Sequence, residues 1–495
     1  MQYIDYVSMS PPRRLAYRLG KGIRSIPQGL KKAGVKVWSL LCRTGRAVKN
    51  GVKDYVTMFR DGDFKTRLSY IFMGSGCFLR GQVVKGLLLL FIEAAFIVYM
   101  LSFGLAQLAL FPSLGKVLKY EVWNEELQIY EYVQGDNSML ILLFSVLTIF
   151  IIFAFLAVYI GNIRLAYKNQ LEVAKGHKLN NILMDFRDLL DKKLHVAFLT
   201  LPSLGVLVFT ILPLVFMILI AFTNYDKSHQ PPGSLFTWVG LLNFRNIFWV
   251  NPVQSATFVG IFQWTVIWAF FATFSNYILG MILALMINKK GIKLKRMWRT
   301  IFVVTIAVPQ FVTLLLMSRL LAEQGAVNVL LGYLGIAPVQ FLTSATLARI
   351  TVIVVNIWVG IPYTMLITSG ILMNIPADLY ESARIDGAGP VKSFTRITLP
   401  YMLFVTTPYL ITQFIGNMNN FNVIYLLTGG GPLSLDYYQA GKTDLLVTWL
   451  YKLTVNQQDY NLASAIGIII FLISAVLSLI VYNTSSSAKK EDTFQ

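Results

Sequence analysis

The stretch Ile375-Pro376-Ala377-Asp378-Leu379-Tyr380-Glu381-Ser382-Ala383-Arg384-Ile385-Asp386-Gly387-Ala388-Gly389-Pro390 joins two long apolar runs. Pro376 suits the first turn of a helix, and Asp378 favours the positive end of that helix. Gly387 is typical of a helix end, and Pro390 can begin a new helix. The stretch therefore predicts a short helix, a bend and a second short helix, which together form a rigid peg for docking another protein.

On both sides of this stretch, the chain alternates between apolar runs and polar segments. A bilayer core of about 30 Å requires roughly 20 apolar residues in a helix. Backbone groups in lipid must be paired within their own segment, so such runs predict helices. The predicted spans are eight: 83–111, 138–162, 196–223, 256–287, 299–322, 344–371, 401–427 and 462–482.

Composition excludes a soluble enzyme. Of 495 residues, 56% are apolar and 14% are charged, whereas an ordinary soluble domain carries about 25% charged residues. A soluble chain of this composition would expose large apolar patches. Two cysteines and three scattered histidines give no disulfide framework and no metal site. The sequence predicts an all-α polytopic membrane protein.

The loops determine the predicted orientation. The segments 1–67, 163–194, 288–299, 372–400 and 485–495 hold 33 Lys and Arg, and the alternating segments hold 6. This asymmetry places both termini in the cytoplasm. The net charge of +19 therefore reflects membrane topology rather than nucleic-acid binding. No short apolar stretch with a cleavage site opens the chain, so we expect no cleaved signal peptide.

The N-terminal part is divided into a basic segment, 1–67, and a set of peripheral spans and loops, 68–195. Apolar and basic residues alternate at helical spacing over residues 21–41, which is typical of an amphipathic helix on an anionic lipid surface. The alternative is a charged tail that only enforces topology. We interpret the shorter stretch 68–79 as interfacial or re-entrant, because Gly74 and Gly76 interrupt it.

Two predicted spans carry uncharged polar residues at helical spacing. Asn356, Gly360 and Tyr363 share one face, and Gln413, Asn417 and Asn420 share another. Pro362 should kink the first of these helices. The two faces could satisfy each other's hydrogen bonds across a helix contact. Alternatively they line a wet cavity, where amides and a ring suit a neutral polyhydroxylated ligand such as a sugar.

Charged groups that could drive transport are scarce. Glu93 is an acid within a span, and it is either a proton site or a structural partner across a helix interface. Gly441-Lys442-Thr443 resembles the end of a phosphate loop, but Asp436 stands where that loop needs glycine. We therefore expect no catalytic residue, no metal and no nucleotide site in this chain, and a separate ATPase if transport uses ATP.

Several motifs carry a family resemblance over residues 196–485. Glu381-Ser382-Ala383, Asp386-Gly387-Ala388 and Leu399-Pro400 resemble the coupling-loop signature of ABC importer permeases. Three more stretches are similar to the larger permease subunit of maltose/maltodextrin-type, type I ABC carbohydrate importers: residues 356–363, 417–421 and 427–432. The segment Ala440–Val447 is similar to it as well.

The resemblance implies a type I permease core over residues 256–482, a coupling loop at 372–400 and a cytoplasmic tail at 486–495. It implies four kinds of partner: a second homologous permease, an ATPase dimer that binds ATP and Mg²⁺, an extracellular sugar-binding protein, and membrane lipid. ATPase coupling would fall on Glu381, Ser382, Ala383, Asp386, Gly387 and Ala388. Sugar binding would fall on Asn356, Val359, Gly360, Tyr363, Gln413, Asn417 and Asn420.

Two of these positions depart from the family pattern, since Val359 replaces a leucine and Gln413 a serine. The large outer domain of the enteric member is missing from 224–255, so contact with the binding protein should rely on 323–343 and 428–461. The chain is interpreted as a multi-pass permease for maltodextrin-type oligosaccharides in a bacterial cell membrane. The alternatives are another neutral oligosaccharide, a phosphorylated cargo, an ion-coupled secondary sugar carrier or a channel.

Overall fold

The computed structural model describes residues 39, 42, 43, 45, 46, 49–289 and 291–484. Most of the basic segment 1–67 and the whole tail 486–495 lie outside the described residues. The chain divides into two compact units, 1–240 and 241–495.

The first unit consists of membrane-length helices and short connecting elements. A helical stretch over 49–60 precedes them. The elements are α1 Phe64–Leu68, α2 Ser75–Phe78, α3 Val83–Tyr99, α4 Leu105–Leu110, β1 Tyr120–Asn124, β2 Ile129–Val133, α5 Ser138–Ala174, α6 Ile182–Asp191, α7 Leu194–Val206 and α8 Leu212–Ile220. Single turns of π-helix at Met100–Gly104 and Leu207–Ile211 join α3 to α4 and α7 to α8.

The predicted interfacial stretch 68–79 forms turns and the short helix α2, which is too short to cross a bilayer. Its backbone is held by polar side chains from longer helices. Gly74 N–H donates to Asn162 Oδ1 at 2.9 Å, and Met73 N–H donates to Glu93 Oε2 at 2.8 Å. Glu93 therefore has a structural partner. α5 continues beyond the predicted end at 162, and its Gln170 side chain accepts from Asp63 N–H at 3.0 Å.

Between α4 and α5, β1 and β2 pair antiparallel as a hairpin, which the sequence analysis missed. Asp136 fixes its base, since the backbone N–H groups of Lys116 and Val117 donate to Asp136 Oδ2 at 2.7 and 2.9 Å. These two bonds lower the pKa of Asp136, so its carboxylate is charged at neutral pH.

The second unit is built of helices around the long helix α10. The elements are α9 Leu242–Arg245, α10 Pro252–Asn288, α11 Lys295–Ala307, α12 Gln310–Leu320, α13 Ala326–Tyr333, α14 Ala345–Leu372, α15 Ala377–Ile385, α16 Pro390–Ser393, α17 Leu399–Met418, α18 Phe421–Thr428, α19 Leu446–Tyr451 and α20 Tyr460–Thr484. Turns of π-helix lie at Asn246–Val250, Phe394–Thr398 and Lys452–Gln457.

Two predicted continuous spans are broken. The run 299–322 bends by 87° between α11 and α12, because Val308 precedes Pro309 and a residue before proline avoids the helical region. The run 401–427 breaks at Asn419, and Asn420 then caps α18 by accepting from Val423 N–H at 3.2 Å. By contrast, α14 runs without a break through Pro362.

The described chain has six unbroken helices long and apolar enough to cross a membrane, and the bent pair α11–α12 makes a seventh. With 20 residues, α17 is long enough for the remaining predicted run, so eight crossings stay compatible with the structure. The protein is an all-α, multi-pass membrane protein apart from its one described hairpin.

Glycines allow α10 and α14 to pack closely. A Cβ on Gly280 would overlap the Thr364 side chain and lie 2.9 Å from the backbone nitrogen of Met365. Thr364 Oγ1 donates to the carbonyl oxygen of Asn276 at 2.9 Å, which ties the two helices at this crossing. The close packing and this hydrogen bond therefore fix the position of α10 relative to α14.

Gly280→Ala should lower the thermal stability of the purified protein, because overpacking of this kind costs about 1–3 kcal/mol. Gly370→Ala is the matched control, since a Cβ on Gly370 would meet nothing within 4 Å. Alanine in a helix is favoured over glycine, so the control should be neutral or stabilising. Equal melting temperatures for the two variants would contradict this packing.

Candidate functional site

A polar cavity of about 170 Å³ lies among α10, α14 and α17 in the second unit. Its walls are Ala272, Thr273, Asn276, Gln310, Asn356, Val359, Gly360, Tyr363, Thr364, Tyr409, Leu410, Gln413, Asn417 and Asn420. The described residues that line it include no charged side chain.

The structure brings all seven sugar-site positions from the sequence analysis to this cavity. Asn356, Val359, Gly360 and Tyr363 come from α14, and Gln413 and Asn417 come from α17. Asn420 reaches the cavity from the break between α17 and α18. Their convergence is a geometric fact, and their role in binding remains a prediction.

The α17 face is fixed by contacts with α10. Asn417 Nδ2 donates to Thr273 Oγ1 at 3.0 Å, and the carbonyl oxygen of Asn417 accepts from Trp268 Nε1 at 3.0 Å. Asn420 Nδ2 lies 3.4 Å from Asn417 Oδ1. These bonds hold the two amides in place before any ligand arrives, which is the preorganisation that a binding site needs.

The α14 face combines a buried amide, a glycine and an exposed ring. Asn356 is buried, whereas 48% of the Tyr363 surface is exposed. A Cβ on Gly360 would overlap the Asn276 side chain, so glycine is required for this close approach of α10. Tyr363 therefore offers a free ring face beside a packed amide.

Five polar residues of the cavity were not predicted from the sequence: Thr273, Asn276, Gln310, Thr364 and Tyr409. Thr273 and Asn276 stand three residues apart on α10, so helical spacing could have found them. Gln310 directly follows the Val308–Pro309 break, which was itself a readable signal. Tyr409 precedes Gln413 by one helical turn and shares its face.

Three buried polar atoms at the cavity have no hydrogen-bond partner within the described chain: Asn276 Oδ1, Asn356 Nδ2 and the Tyr409 hydroxyl. An unpaired buried polar group costs about 1–3 kcal/mol. Between them these atoms offer an acceptor, a donor and a group that does both. No hydrogen bond joins the α14 face to the α17 face in the described part of the chain. The alternative in which the two faces pair their hydrogen bonds across a helix contact would require such bonds.

Apolar layers lie on both sides of the cavity. One contains Trp264, Trp268, Ala272, Leu314, Val352, Val355, Val423, Ile424, Leu427 and Leu445. The other contains Tyr277, Met281 and Met402.

The segment 429–452 is a folded lobe organised by a buried carboxylate. Asp444 is fully buried and accepts from Gly441 N–H at 2.7 Å, Thr448 Oγ1 at 2.8 Å and Lys452 Nζ at 2.6 Å. The lobe is tied to α14, because Arg349 Nε donates to the carbonyl oxygen of Lys442 at 2.8 Å. The glycine–lysine–threonine sequence thus belongs to a structural loop.

Asp444→Asn should destabilise the purified protein by about 3 kcal/mol, because it leaves the charge of Lys452 buried and unpaired. The matched control is Asp436→Asn. Asp436 pairs with Lys442 at 3.6 Å, but its side chain is 84% exposed, so its loss should cost less than about 1 kcal/mol. Thermal unfolding measures both, and equal shifts would contradict the structural role of Asp444.

The predicted docking peg has the expected form of a helix, a bend and a second helix. Gly387 adopts φ +69°, and Ala388 N–H donates to the carbonyl oxygen of Ala383 at 2.8 Å, which closes α15. Glu381 and Asp386 are exposed, and in the described chain neither forms an ion pair. Ile385 is 87% exposed, so the bend presents carboxylates around an apolar tip.

Membrane-length helices and an uncharged polar cavity are features typical of a membrane permease. The family model described as "Binding-protein-dependent transport system inner membrane component" matches residues 276–489. The chain belongs to this family of ABC importer permease subunits, and two long relatives establish the membership over most of its length. Such subunits are not themselves enzymes, and ATP hydrolysis belongs to a separate chain.

The galactooligosaccharides transport system permease protein GanP of Bacillus subtilis is 35% identical over 85% of this chain and 97% of its own length. The maltodextrin transport system permease protein MdxF of the same organism is 35% identical over 86% and 97%. The maltose/maltodextrin transport system permease protein MalF of Escherichia coli is 37% identical over 52% of this chain and 51% of its own.

Among solved structures, one chain of a bacterial alginate ABC transporter, in complex with alginate pentasaccharide-bound periplasmic protein, matches with a TM-score of 0.51. The match is 24% identical and covers 62% of this chain and 98% of that chain. It supports the fold.

Proposed function

We propose that this permease imports neutral oligosaccharides of the maltose/maltodextrin type and that its polar cavity is the membrane sugar site. The observation that carries the proposal is the set of three unpartnered polar atoms in an uncharged cavity. Sugar hydroxyls both donate and accept, so one ring can satisfy Asn276, Asn356 and Tyr409 together. Tyr363 supplies an apolar surface for the face of the ring.

The volume of the cavity limits how much sugar it holds. At about 170 Å³ it is smaller than ligand pockets of about 300–1,000 Å³. We infer that the cavity holds a single sugar unit, while the rest of a chain occupies the path that opens on one side. Chain length is then limited by the other components rather than by these residues.

Selectivity among neutral sugars would depend on side chains of intermediate burial at the cavity edge. The two long relatives are named for different cargoes, galactooligosaccharides and maltodextrin. Both cargoes are uncharged, and the difference between them is one of hydroxyl geometry. Gln413 and Val359, the two departures from the family pattern, are therefore the proposed positions of selectivity.

Movement of the cavity would come from the ATPase. We infer that α15 and α16 dock in a cleft of an ATPase dimer that binds ATP and Mg²⁺, with Glu381, Ser382, Ala383, Asp386, Gly387 and Ala388 at the contact. Closure of the dimer pulls on α17 through Leu399, and the cavity then opens outward. A second homologous permease would complete the translocation path, with both termini of this chain in the cytoplasm of a bacterial cell.

A phosphorylated or acidic cargo is less compatible with the cavity, because such a cargo would call for Arg or Lys. An ion-coupled carrier would need a carboxylate near the sugar. The described residues around this cavity supply neither.

An uptake assay tests the proposal. The complex, reconstituted in proteoliposomes with its ATPase and a sugar-loaded binding protein, should accumulate maltodextrins when ATP is supplied. Uptake of galactooligosaccharides in preference to maltodextrins would support the alternative neutral cargo. Uptake driven by an ion gradient without ATP would contradict the proposed mechanism.

A further inference from the structure

The β1–β2 hairpin of the first unit exposes apolar side chains on both faces. Every residue from 116 to 134 except Asn124 is exposed. The register places Trp123 opposite Tyr130 on one face and Tyr120 opposite Val133 on the other. The large apolar side chains of the two strands are 37–64% exposed.

A hairpin with exposed apolar side chains on both faces is unusual on a protein surface that faces water. A lone two-stranded hairpin is marginally stable in water, and contiguous exposed apolar groups mark interaction sites. Trp123 and Tyr130 pack edge to face at 5.0 Å, and Lys119 lies over the Tyr132 ring at 3.9 Å. These cross-strand contacts and the two backbone hydrogen bonds to Asp136 stabilise the hairpin but leave its apolar side chains exposed.

The charge of the hairpin indicates which kind of surface can bind it. The segment 119–136 contains one lysine and five acids, in a chain whose net charge is +19. Glu125 and Glu126 stand at the tip, and their side chains form none of the hydrogen bonds of the turn. An acidic tip is repelled by an anionic lipid surface and attracted by a basic protein surface.

We propose that this hairpin is a docking element for the external substrate-binding protein, and that it takes a basic patch with an apolar centre on that protein. The proposal rests on the proposed function, in which α3 and α5 cross the membrane and the hairpin between them is outside. It adds a docking site in the first unit to the contacts expected at 323–343 and 428–461.

Two variants of the reconstituted complex test the docking site by the concentration of sugar-loaded binding protein that half-saturates ATPase stimulation. Glu125→Gln/Glu126→Gln should raise this concentration about tenfold at low salt and less than about twofold at high salt, because the lost attraction is screened. Trp123→Ser/Tyr130→Ser should raise it about 100-fold, as loss of aromatic anchors does in other interfaces.

The matched control is Asp54→Asn/Asp191→Asn, which removes two exposed carboxylates from segments predicted to be cytoplasmic. It should leave the half-saturating concentration unchanged. If the wild-type complex is stimulated and the Glu125/Glu126 variant behaves like it at low salt, the docking site is wrong while the proposed function stands. If no binding protein stimulates the wild-type complex, the proposed function fails first.

Hydrogen exchange separates protein docking from lipid contact. In nanodiscs, the amides of 120–133 should gain protection when the loaded binding protein is added, beyond the protection that the paired strands give by themselves. Protection that does not increase when the binding protein is added would overturn the proposal.

Discussion

Replacing Tyr363 with alanine should lower sugar uptake by about 30- to 100-fold, while the complex remains assembled. The ring is half exposed and lines the cavity, so its removal disturbs little packing but takes away a contact with the sugar. A loss of about 2–3 kcal/mol in binding corresponds to that factor, since about 1.4 kcal/mol is tenfold. Uptake of labelled maltodextrin into proteoliposomes measures it.

Trp358→Ala is the matched control for Tyr363→Ala. Trp358 lies on the same helix and is 56% exposed, but it does not line the cavity. Its replacement should leave uptake within about twofold of wild type, as expected for a side chain outside the site. Normal uptake by Tyr363→Ala, or equal losses in the two variants, would remove the sugar-site assignment.

Glu381→Lys should uncouple sugar transport from ATP use. The carboxylate is exposed beside the apolar tip and has no ion pair in the described chain, so it is available to the ATPase. Reversing a charge at a docked contact costs about 3 kcal/mol, which predicts about a 100-fold fall in uptake. Sugar-stimulated ATPase activity should fall to the basal rate.

Asp54→Lys reverses a carboxylate that is also exposed but lies outside the coupling loop, and it should change neither uptake nor stimulation. Glu381→Gln separates loss of charge from repulsion and should give an intermediate defect. A stimulated ATPase rate in Glu381→Lys that equals the wild-type rate would contradict the docking role of this residue.

Much of the candidate site could be predicted from the sequence, because helical spacing alone places residues on one face. Asn356, Gly360 and Tyr363 shared a predicted face and now line one wall of the cavity. The same holds for Gln413 and Asn417. Val359 came from the family resemblance alone, since an apolar residue in an apolar span gives no signal of its own.

Other features depend on interactions that no spacing rule describes. The wall formed by Thr273 and Asn276 required knowing that α10 packs against α14, which Gly280 and Gly360 allow through close approach. The hairpin was not predicted, because the Lys and Arg content of the segment 112–137 says nothing about strand pairing. The extension of α5 beyond 162 was not predicted, because its Gln170 side chain bonds residues about 100 positions earlier in the chain.

The most direct test is a structure of the assembled transporter, held with a non-hydrolysable ATP analogue and loaded with maltodextrin, determined by electron cryomicroscopy. The account predicts density for a sugar ring against Tyr363, with hydroxyls within hydrogen-bonding distance of Asn276 and Asn356. An empty cavity, with sugar bound elsewhere along the membrane path, would contradict it.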